Sequence, residues 1–499
     1  KQQAQTYCAI LLGLGLLMGF AYATPIKAQG SFELNKNCQS AYQHIMALRL
    51  DKGRALLQQE RQNNPNNAMV HLMENYLDFF TVFILEENSL LQKLSPNKDK
   101  RLAALQKANT NSPYYRYAKA EINLQWAIAR IKFEEYFTAA WEIRAAYKLL
   151  EENQRLYPNF KPNLKSLGML HALIGTIPED YKWAVSILGM KGTIKQGMGE
   201  VKSFVDVAQA QGTFYEESIL LYTFLLVYLD SNYEKAFRVA QSISTTDNLF
   251  NSFIVAYISL KCGRGTYARQ VIDKRPKGVE YMPFYFMDYF LGSMKLYNQE
   301  ADAANYLKRY VNNFKGRHYL KDAYQKLAWS ALLKGNREDY HTYMQKCKTR
   351  GKTFLDIDAQ ALKEAQSGNV PNEDLLQARL CFDGANYQKA LNTLQQTSEI
   401  TLVESQHRLE YNYRFGRVYE ALGKQDQAVP YYKKTIEEAA GTSHYFAPKA
   451  AMQMGKIYEG RGDNKTARLY YQKCLAFSGY EYERSVKQQA KAGLIRIND

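Results

Sequence analysis

Seven histidines are the first place to look for chemistry: His44, His71, His171, His318, His341, His407 and His444. A metal site or proton-transfer pair on one helix needs its groups three or four residues apart, because only those share a face. No two of these histidines have that spacing, and the HExxH pattern is absent. The phosphate-binding P-loop, the GxSxG nucleophile elbow and an aspartate-rich calcium loop are absent too. Paired glutamates occur at Glu86-Glu87, Glu134-Glu135, Glu151-Glu152, Glu216-Glu217 and Glu437-Glu438. Neighbours on a helix point about 100° apart, so these pairs read as solvated faces. The six cysteines, Cys8, Cys38, Cys262, Cys347, Cys381 and Cys474, include no CxxC pair, which removes the close clustering a zinc site requires. The expectation is a chain with no catalytic residues, no metal and no cofactor, and therefore not an enzyme.

What remains is a question of which elements the chain builds. Of 499 residues, 46% are hydrophobic, so a packed core is affordable. Only 12 Pro and 29 Gly are present, few for an all-β chain that turns often. Tyr is abundant, 39 copies against 4 Trp. A Tyr ring fills a helix–helix interface while its hydroxyl reaches water. Most of these rings are expected to pack between short helices. The formal charge is +16, dispersed along the chain without a run of five basic residues, which argues against a nucleic-acid tract. Residues Ala9–Ala23 form a 15-residue apolar run behind Lys1, ending in Ala21-Tyr22-Ala23, with Ala28-Gln29 as a second cleavage candidate. This is the pattern of a secretory signal peptide and is short for a membrane span, which needs about 20 apolar residues. Gly13, Gly15 and Gly19 lie inside that leader and are no phosphate loop. The most hydrophobic later stretch, Ile219–Leu229, is also too short to span and reads as a helix buried on most sides.

A small residue in one helix followed twelve positions later by an alanine recurs through the chain. Where two helices cross closely, a large side chain would force the backbones apart. Gly416 pairs with Ala428 and Gly455 with Ala467, and their surroundings match position for position, 39 residues apart. Ala378 pairs with Ala390, and Gly493 begins an incomplete unit. Upstream, Phe224 pairs with Ala236, Ala256 with Ala268, Gly292 with Ala304 and Ala328 with Tyr340. Between Ala328 and Ala378 the step lengthens, and LDIDAQALKEAQSG is expected to add a helix there. Ala41, Gly53, Leu57 and Pro65 have the spacing of one more unit near the N-terminus. This grid resembles the tetratricopeptide repeat, a helix–turn–helix unit of about 34 residues. The resemblance implies an all-α fold, an α-α superhelix that is a right-handed solenoid of roughly eight or nine helical hairpins.

The region from Ala68 to Thr213 leaves the grid, with long helical stretches such as AEINLQWAIARIKFEEYFTAAWEIRAAYKLLEENQRLYP. Within it, Arg144, Ala146, Tyr147 and Lys148, then Gly168, Leu173, Pro178, Leu188, Gly189, Gly192 and Gly197, resemble the Iml2/TTC39 family of tetratricopeptide proteins over about sixty residues. That resemblance implies a fold and adds little about activity.

The resulting organisation is a signal peptide at 1–28 and a helical region at 29–213 with one repeat-like unit. Degenerate units follow at 214–365, then repeat units with a terminal capping helix at 366–499. In such arrays the first helix of each unit lines the concave side, where partner segments lie. Counting from the anchors Ala378, Gly416 and Gly455, the groove positions are Arg379, Phe382, Tyr413, Arg417, Glu420, Lys449, Met452, Lys456 and Glu459. This basic and aromatic strip suits an acidic or C-terminal segment of a protein partner. The sequence thus reads as an exported scaffold or adaptor, periplasmic or outer-membrane associated, binding a protein and no nucleic acid. The alternative is a membrane-surface protein held by an uncleaved leader and a basic face, associated peripherally with lipid; an envelope enzyme is the third reading.

Overall fold

The computed structural model describes residues 30–177, 188–208, 212–399, 402, 404–439, 444–480 and 482–497. The leader reading and Pro178 of the family resemblance lie outside these residues. In chain order the helices are α1 Lys36–Met46, α2 Leu50–Asn63, α3 Met69–Leu85, α4 Asn88–Leu94, α5 Pro96–Leu105, α6 Pro113–Lys132, α7 Tyr136–Leu156, α8 Asn163–Gly175 and α9 Ile194–Ala208. They continue with α10 Tyr215–Tyr228, α11 Tyr233–Gln241, α12 Leu249–Lys261, α13 Gly265–Asp273, α14 Tyr285–Tyr297, α15 Ala303–Asn313, α16 Leu320–Leu332 and α17 Arg337–Thr349. The last are α18 Asp356–Ser367, α19 Glu373–Asp383, α20 Tyr387–Gln396, α21 Ser405–Ala421, α22 Gln425–Glu437, α23 Phe446–Gly460, α24 Asn464–Ala476 and α25 Glu483–Arg496. The fold class is all-α, of the tetratricopeptide-like α-α superhelix type. Clustering of contacts gives two compact units.

The first unit comprises residues 1–45, 50–80 and 92–200. Gly53 of α2 is pressed on α1: a Cβ there would stand 2.6 Å from Ile45 and 3.2 Å from the Ala41 carbonyl oxygen. The predicted N-terminal unit therefore rests on a real helix crossing. The long helical stretch after Ala118 is not one helix. Glu134 adopts φ +67 between α6 and α7, and the chain doubles back into an antiparallel pair. Periodicity could not show this, because apolar spacing of three and four continues on both sides of the turn. Of the glycines of the family resemblance, Gly192 and Gly197 are packing sites, while Gly189 has open space around it and a positive φ of +71. A Cβ on Gly192 would run into the His171 backbone at 2.5 Å, and one on Gly197 would collide with α8 at Gly168 and Ala172. The R-x-A-Y-K helix holds the same loop: Arg144 Nε donates to the Leu188 carbonyl at 3.0 Å, and the Tyr147 hydroxyl to the Lys191 carbonyl at 3.0 Å.

The second unit comprises residues 46–49, 81–91 and 201–499. It stacks the hairpins α10–α11, α12–α13, α14–α15, α16–α17, α19–α20, α21–α22 and α23–α24, with α18 inserted as the additional helix and α25 closing the described residues. A left-handed residue ends the first helix of each hairpin: Ser231, Gly263, Gln299, Gly335, Ala385, Gly423 and Gly462. Each lies seven residues after its anchor (224, 256, 292, 328, 378, 416 and 455). Positive φ frees the helix C-terminus and turns the chain back, which glycine does without steric cost. A side-chain cap often opens the second helix, as where Asn336 accepts from the Asp339 N–H and Asp463 from the Thr466 N–H, both at 3.0 Å.

The anchors are packing sites. A Cβ on Gly416 would stand 2.5 Å from the Tyr432 ring, and one on Gly455 2.5 Å from Tyr471. Ala236, Ala268, Ala390, Ala428 and Ala467 are fully buried opposite their anchors. In the α14–α15 hairpin the buried residue is Ala303 rather than the expected Ala304, because α15 begins at Ala303 and carries that side chain into the core. Cys347 and Cys474, on equivalent repeat positions, are fully buried free thiols. Ile219–Tyr228 lies on α10, buried on most sides as expected, and Leu229 caps its end. No helix among the described residues is long and apolar enough to cross a membrane.

Candidate protein-binding groove

The first helices of successive hairpins in the second unit present their side chains to two adjoining cavities. The smaller, about 160 Å³, is lined by Arg379, Phe382 and Asp383 of α19, Tyr413, Arg414 and Arg417 of α21, and Tyr445, Lys449 and Tyr482. The larger, about 290 Å³, shares Arg379, Tyr445 and Tyr482 and adds Glu364 of α18, Glu404, and His407 and Glu410 of α21. Arg379 and Arg417 stand one residue after the anchors Ala378 and Gly416, so repeat geometry aims both at the same face.

The cations here lie on aromatic rings. Arg379 is 4.7 Å from the centre of the Trp329 ring, Arg417 is 5.0 Å from Phe382 and 6.0 Å from Tyr413, and Lys449 sits between Tyr445 at 4.5 Å and Tyr482 at 4.1 Å. Such contacts hold a cation in place while leaving it able to meet an anion. Arg379 and Arg417 each keep 32% of their side-chain surface exposed. Arg379 is held by charge without a close partner, 4.0 Å from Glu364 and 3.9 Å from Asp383. Arg417 Nη1 donates to the Tyr413 hydroxyl at 3.1 Å. Its Nε is buried without a hydrogen-bond partner, with a Glu420 oxygen 3.7 Å away. Burial lowers the Lys449 ammonium from its usual range, and Arg417 and Arg379 push it further down.

The structure brings together five of the nine groove positions read from the sequence: Arg379, Phe382, Tyr413, Arg417 and Lys449. Glu420 and Glu459 are engaged elsewhere. Each accepts a hydrogen bond from a core tyrosine, Tyr432 and Tyr471 respectively, and Glu459 is further paired with Arg496 at 2.6 Å. Lys456 is exposed and donates to Gln489 at 2.9 Å. Met452 is a correction: it is 6% exposed, in the core with Ala467, Tyr471 and Ala490. It occupies the position of Tyr413 in the next hairpin, three residues before the anchor. Tyr413 is equally buried but lines the smaller cavity, whereas Met452 lines neither of the two. The sequence reading missed Trp329, Glu364, Asp383, Glu410, Tyr445 and Tyr482. The two tyrosines immediately precede α23 and α25, and that recurrence before two first helices was the available signal.

Elsewhere the titratable groups are occupied in holding the fold. The Glu60 carboxylate accepts from the amides of Asn35 at 2.6 Å, Asn37 at 3.1 Å, Asn64 at 3.1 Å and Asn67 at 2.8 Å. Lys165 is paired with Glu121 at 2.8 Å in the interior. Asp358 accepts the Tyr319 and Asp322 N–H groups at 2.6 and 3.1 Å, closing the N-terminus of α16. No group of three His, Cys, Asp or Glu among the described residues could hold a metal ion.

The tetratricopeptide repeat family model matches residues 409–441 and 448–478, which cover most of α21–α22 and α23–α24. No curated protein sequence matches the chain. Among solved structures, the crystal structure of the APC/C hetero-tetramer Cut9-Hcn1 aligns with 94% of this chain and 99% of that chain, at 13% identity and a TM-score of 0.23. At that score the alignment carries no inference about fold or partners. The two matched hairpins are similar to tetratricopeptide repeats, and they supply Tyr413, Arg414, Arg417 and Lys449 to the groove.

Proposed function

We propose that this chain is an exported scaffold that binds a protein partner in the cell envelope through the groove of its second unit. One observation carries the binding part: the Lys449 ammonium lies between two tyrosine rings, beside Arg417 and Arg379, with no carboxylate in ion-pair distance among the described residues and Asp383 the one acid lining the same cavity. Holding like charges together in a half-buried cavity costs free energy unless an opposite charge joins them. The match to tetratricopeptide repeats supports a protein as the partner. Export rests on the leader sequence, the apolar run Ala9–Ala23 with its small-residue end.

The test is crosslinking in cells from photoreactive residues placed at Arg417 and Lys456, followed by mass spectrometry. One dominant protein adduct at Arg417 is expected. Adducts with lipid alone, or with scattered abundant neighbours, would overturn the scaffold reading. N-terminal sequencing of the chain from an envelope fraction is expected to show processing after Ala23 or Ala28; an unprocessed chain in the cytoplasm would refute export.

A further inference from the structure

The groove is charged in two opposite senses, and its two cavities meet at Arg379. On one side, Arg417 and Lys449 face a cavity with a surplus of positive charge. On the other, Glu364 and Glu410 face the larger cavity, Glu410 already paired with Arg414 of its own helix, whose Nε donates to it at 2.7 Å. Glu364 accepts from Gln325 and from the Trp329 indole, each at 2.7 Å, but both donors are neutral, and Arg379 stands 4.0 Å off. Burial raises the Glu364 carboxyl, and Glu410 raises it further. Glu364 therefore lacks a close counter-charge on one side of Arg379, as Arg417 and Lys449 do on the other. Nothing in helix packing requires that, because apolar residues of similar size would close the same surface at lower desolvation cost.

We propose, building on the scaffold reading, that the groove takes an extended peptide segment of mixed charge, with a carboxylate seated at Arg417 and Lys449 and a lysine or arginine side chain directed to Glu364. The arrangement fixes the direction in which the segment lies. A carboxylate supplies a counter-charge for the exposed part of the Arg417 guanidinium and for Lys449. A guest cation does the same for Glu364, and Arg379 at the junction is shared. The carboxylate can be a chain terminus or an Asp or Glu side chain, since both present the same group.

Fluorescence anisotropy with the purified full chain tests this. The probes are labelled octapeptides of Ser and Ala carrying one lysine and a free C-terminal carboxylate, separated by one to four residues. Companion peptides carry methionine for lysine, a C-terminal amide, an amide plus an internal glutamate, or the charges in reversed order. At least one spacing is expected to bind about tenfold more tightly than its reversed-order counterpart, the scale of a charge-assisted hydrogen bond. Lys449→Met should weaken carboxylate-bearing peptides about tenfold and leave the amides unchanged. Glu364→Gln should weaken lysine-bearing peptides and leave the methionine versions unchanged. Binding of the glutamate-bearing amide would assign an internal acid; its failure beside a bound free terminus would assign the chain end. Equal binding of forward and reversed peptides, or losses from both variants that ignore the peptide's charge, would overturn the proposal. A single crosslinked partner whose contact segment lacks these charges would leave the scaffold reading standing and remove this one.

Discussion

Tyr471 is a fully enclosed ring of the C-terminal repeats and gives a sharp test of the packing argument. It is fully buried, with its hydroxyl bonded to Glu459 and its ring against two glycines, Gly455 on α23 and Gly493 on α25. A methyl group added at Gly455 would lie 2.5 Å from two ring carbons. The ring cannot recede, because Gly493 closes the other side. Over-packing of this kind costs about 1–3 kcal/mol, while replacing glycine by alanine within a helix returns roughly 0.5–1 kcal/mol. The expected balance for Gly455→Ala is a loss of about 1–2 kcal/mol, a factor of roughly 5–30 in local opening. Hydrogen exchange of amides in α23, α24 and α25 reads this directly, since stacked repeats open locally without the rest of the chain. Gly199 is the internal control: it lies inside α9 with open space around its Cβ position, so Gly199→Ala should slow exchange in α9. In a Tyr471→Ala background, itself costing about 3–5 kcal/mol, Gly455→Ala should become stabilising. If Gly455→Ala slows exchange as Gly199→Ala does, the crossing is looser than described and the grid of small residues is not a packing constraint.

Three other outcomes follow from the same structure. Ser231, Gln299 and Ala385 hold the left-handed position that glycine fills in four sister hairpins; each substitution to glycine should stabilise by about 0.5–1 kcal/mol, and Gly423→Ala should destabilise by about 1 kcal/mol, in urea unfolding. Burial pushes the Asp358 carboxyl up to about 6, although two backbone N–H groups oppose the shift. The folded chain therefore holds this proton more tightly than the unfolded one, and the associated stability is present below about pH 4 and lost as pH rises through 6. Relative to Asp358→Asn, the wild type should lose about 2–3 kcal/mol between those values in unfolding midpoints, at about 1.4 kcal/mol per unit. Cys38, Cys347 and Cys474 are buried with thiols pushed up to about 12, whereas Cys262 is half-exposed at about 11. A thiol reagent followed by peptide mapping should label Cys262 first and reach the others only on unfolding.

The anchor grid was legible because it records a backbone constraint. Two helices that cross within reach of a ring leave no room for a Cβ, and glycine at 416, 455 and 493 is the visible trace. The turn constraint is equally strict in conformation but looser in residue type. Ser231, Gln299 and Ala385 take positive φ without being glycine, so the regular distance of seven residues from anchor to turn could not be seen in the residue types alone. The break at Glu134 was hidden for the same reason. The antiparallel α6–α7 pair therefore read as uninterrupted helix.

The groove was legible only where repeat position and side-chain length agree. One residue after the anchor, Arg379 and Arg417 face the cavity because that position faces it in both hairpins. Four residues after the anchor, the outcome depends on a partner twelve residues further on. Glu420 and Glu459 each meet a tyrosine there, Tyr432 and Tyr471, and are drawn into the hairpin. At the equivalent place in the preceding hairpin Phe382 has Leu394, which offers no hydroxyl, and Phe382 stays in the groove beneath Arg417. The same position thus serves packing or binding according to its own side chain and the donors around it. Removing its donors should move it: Gln453 also donates to Glu420, at 2.9 and 3.1 Å, so with Tyr432→Phe and Gln453→Met together Glu420 is freed toward Arg417, already 3.7 Å away. The added negative charge at the cavity mouth should then weaken capture of a carboxylate while leaving the fold intact, and unchanged carboxylate affinity in that variant would show that Glu420 has no access to the groove.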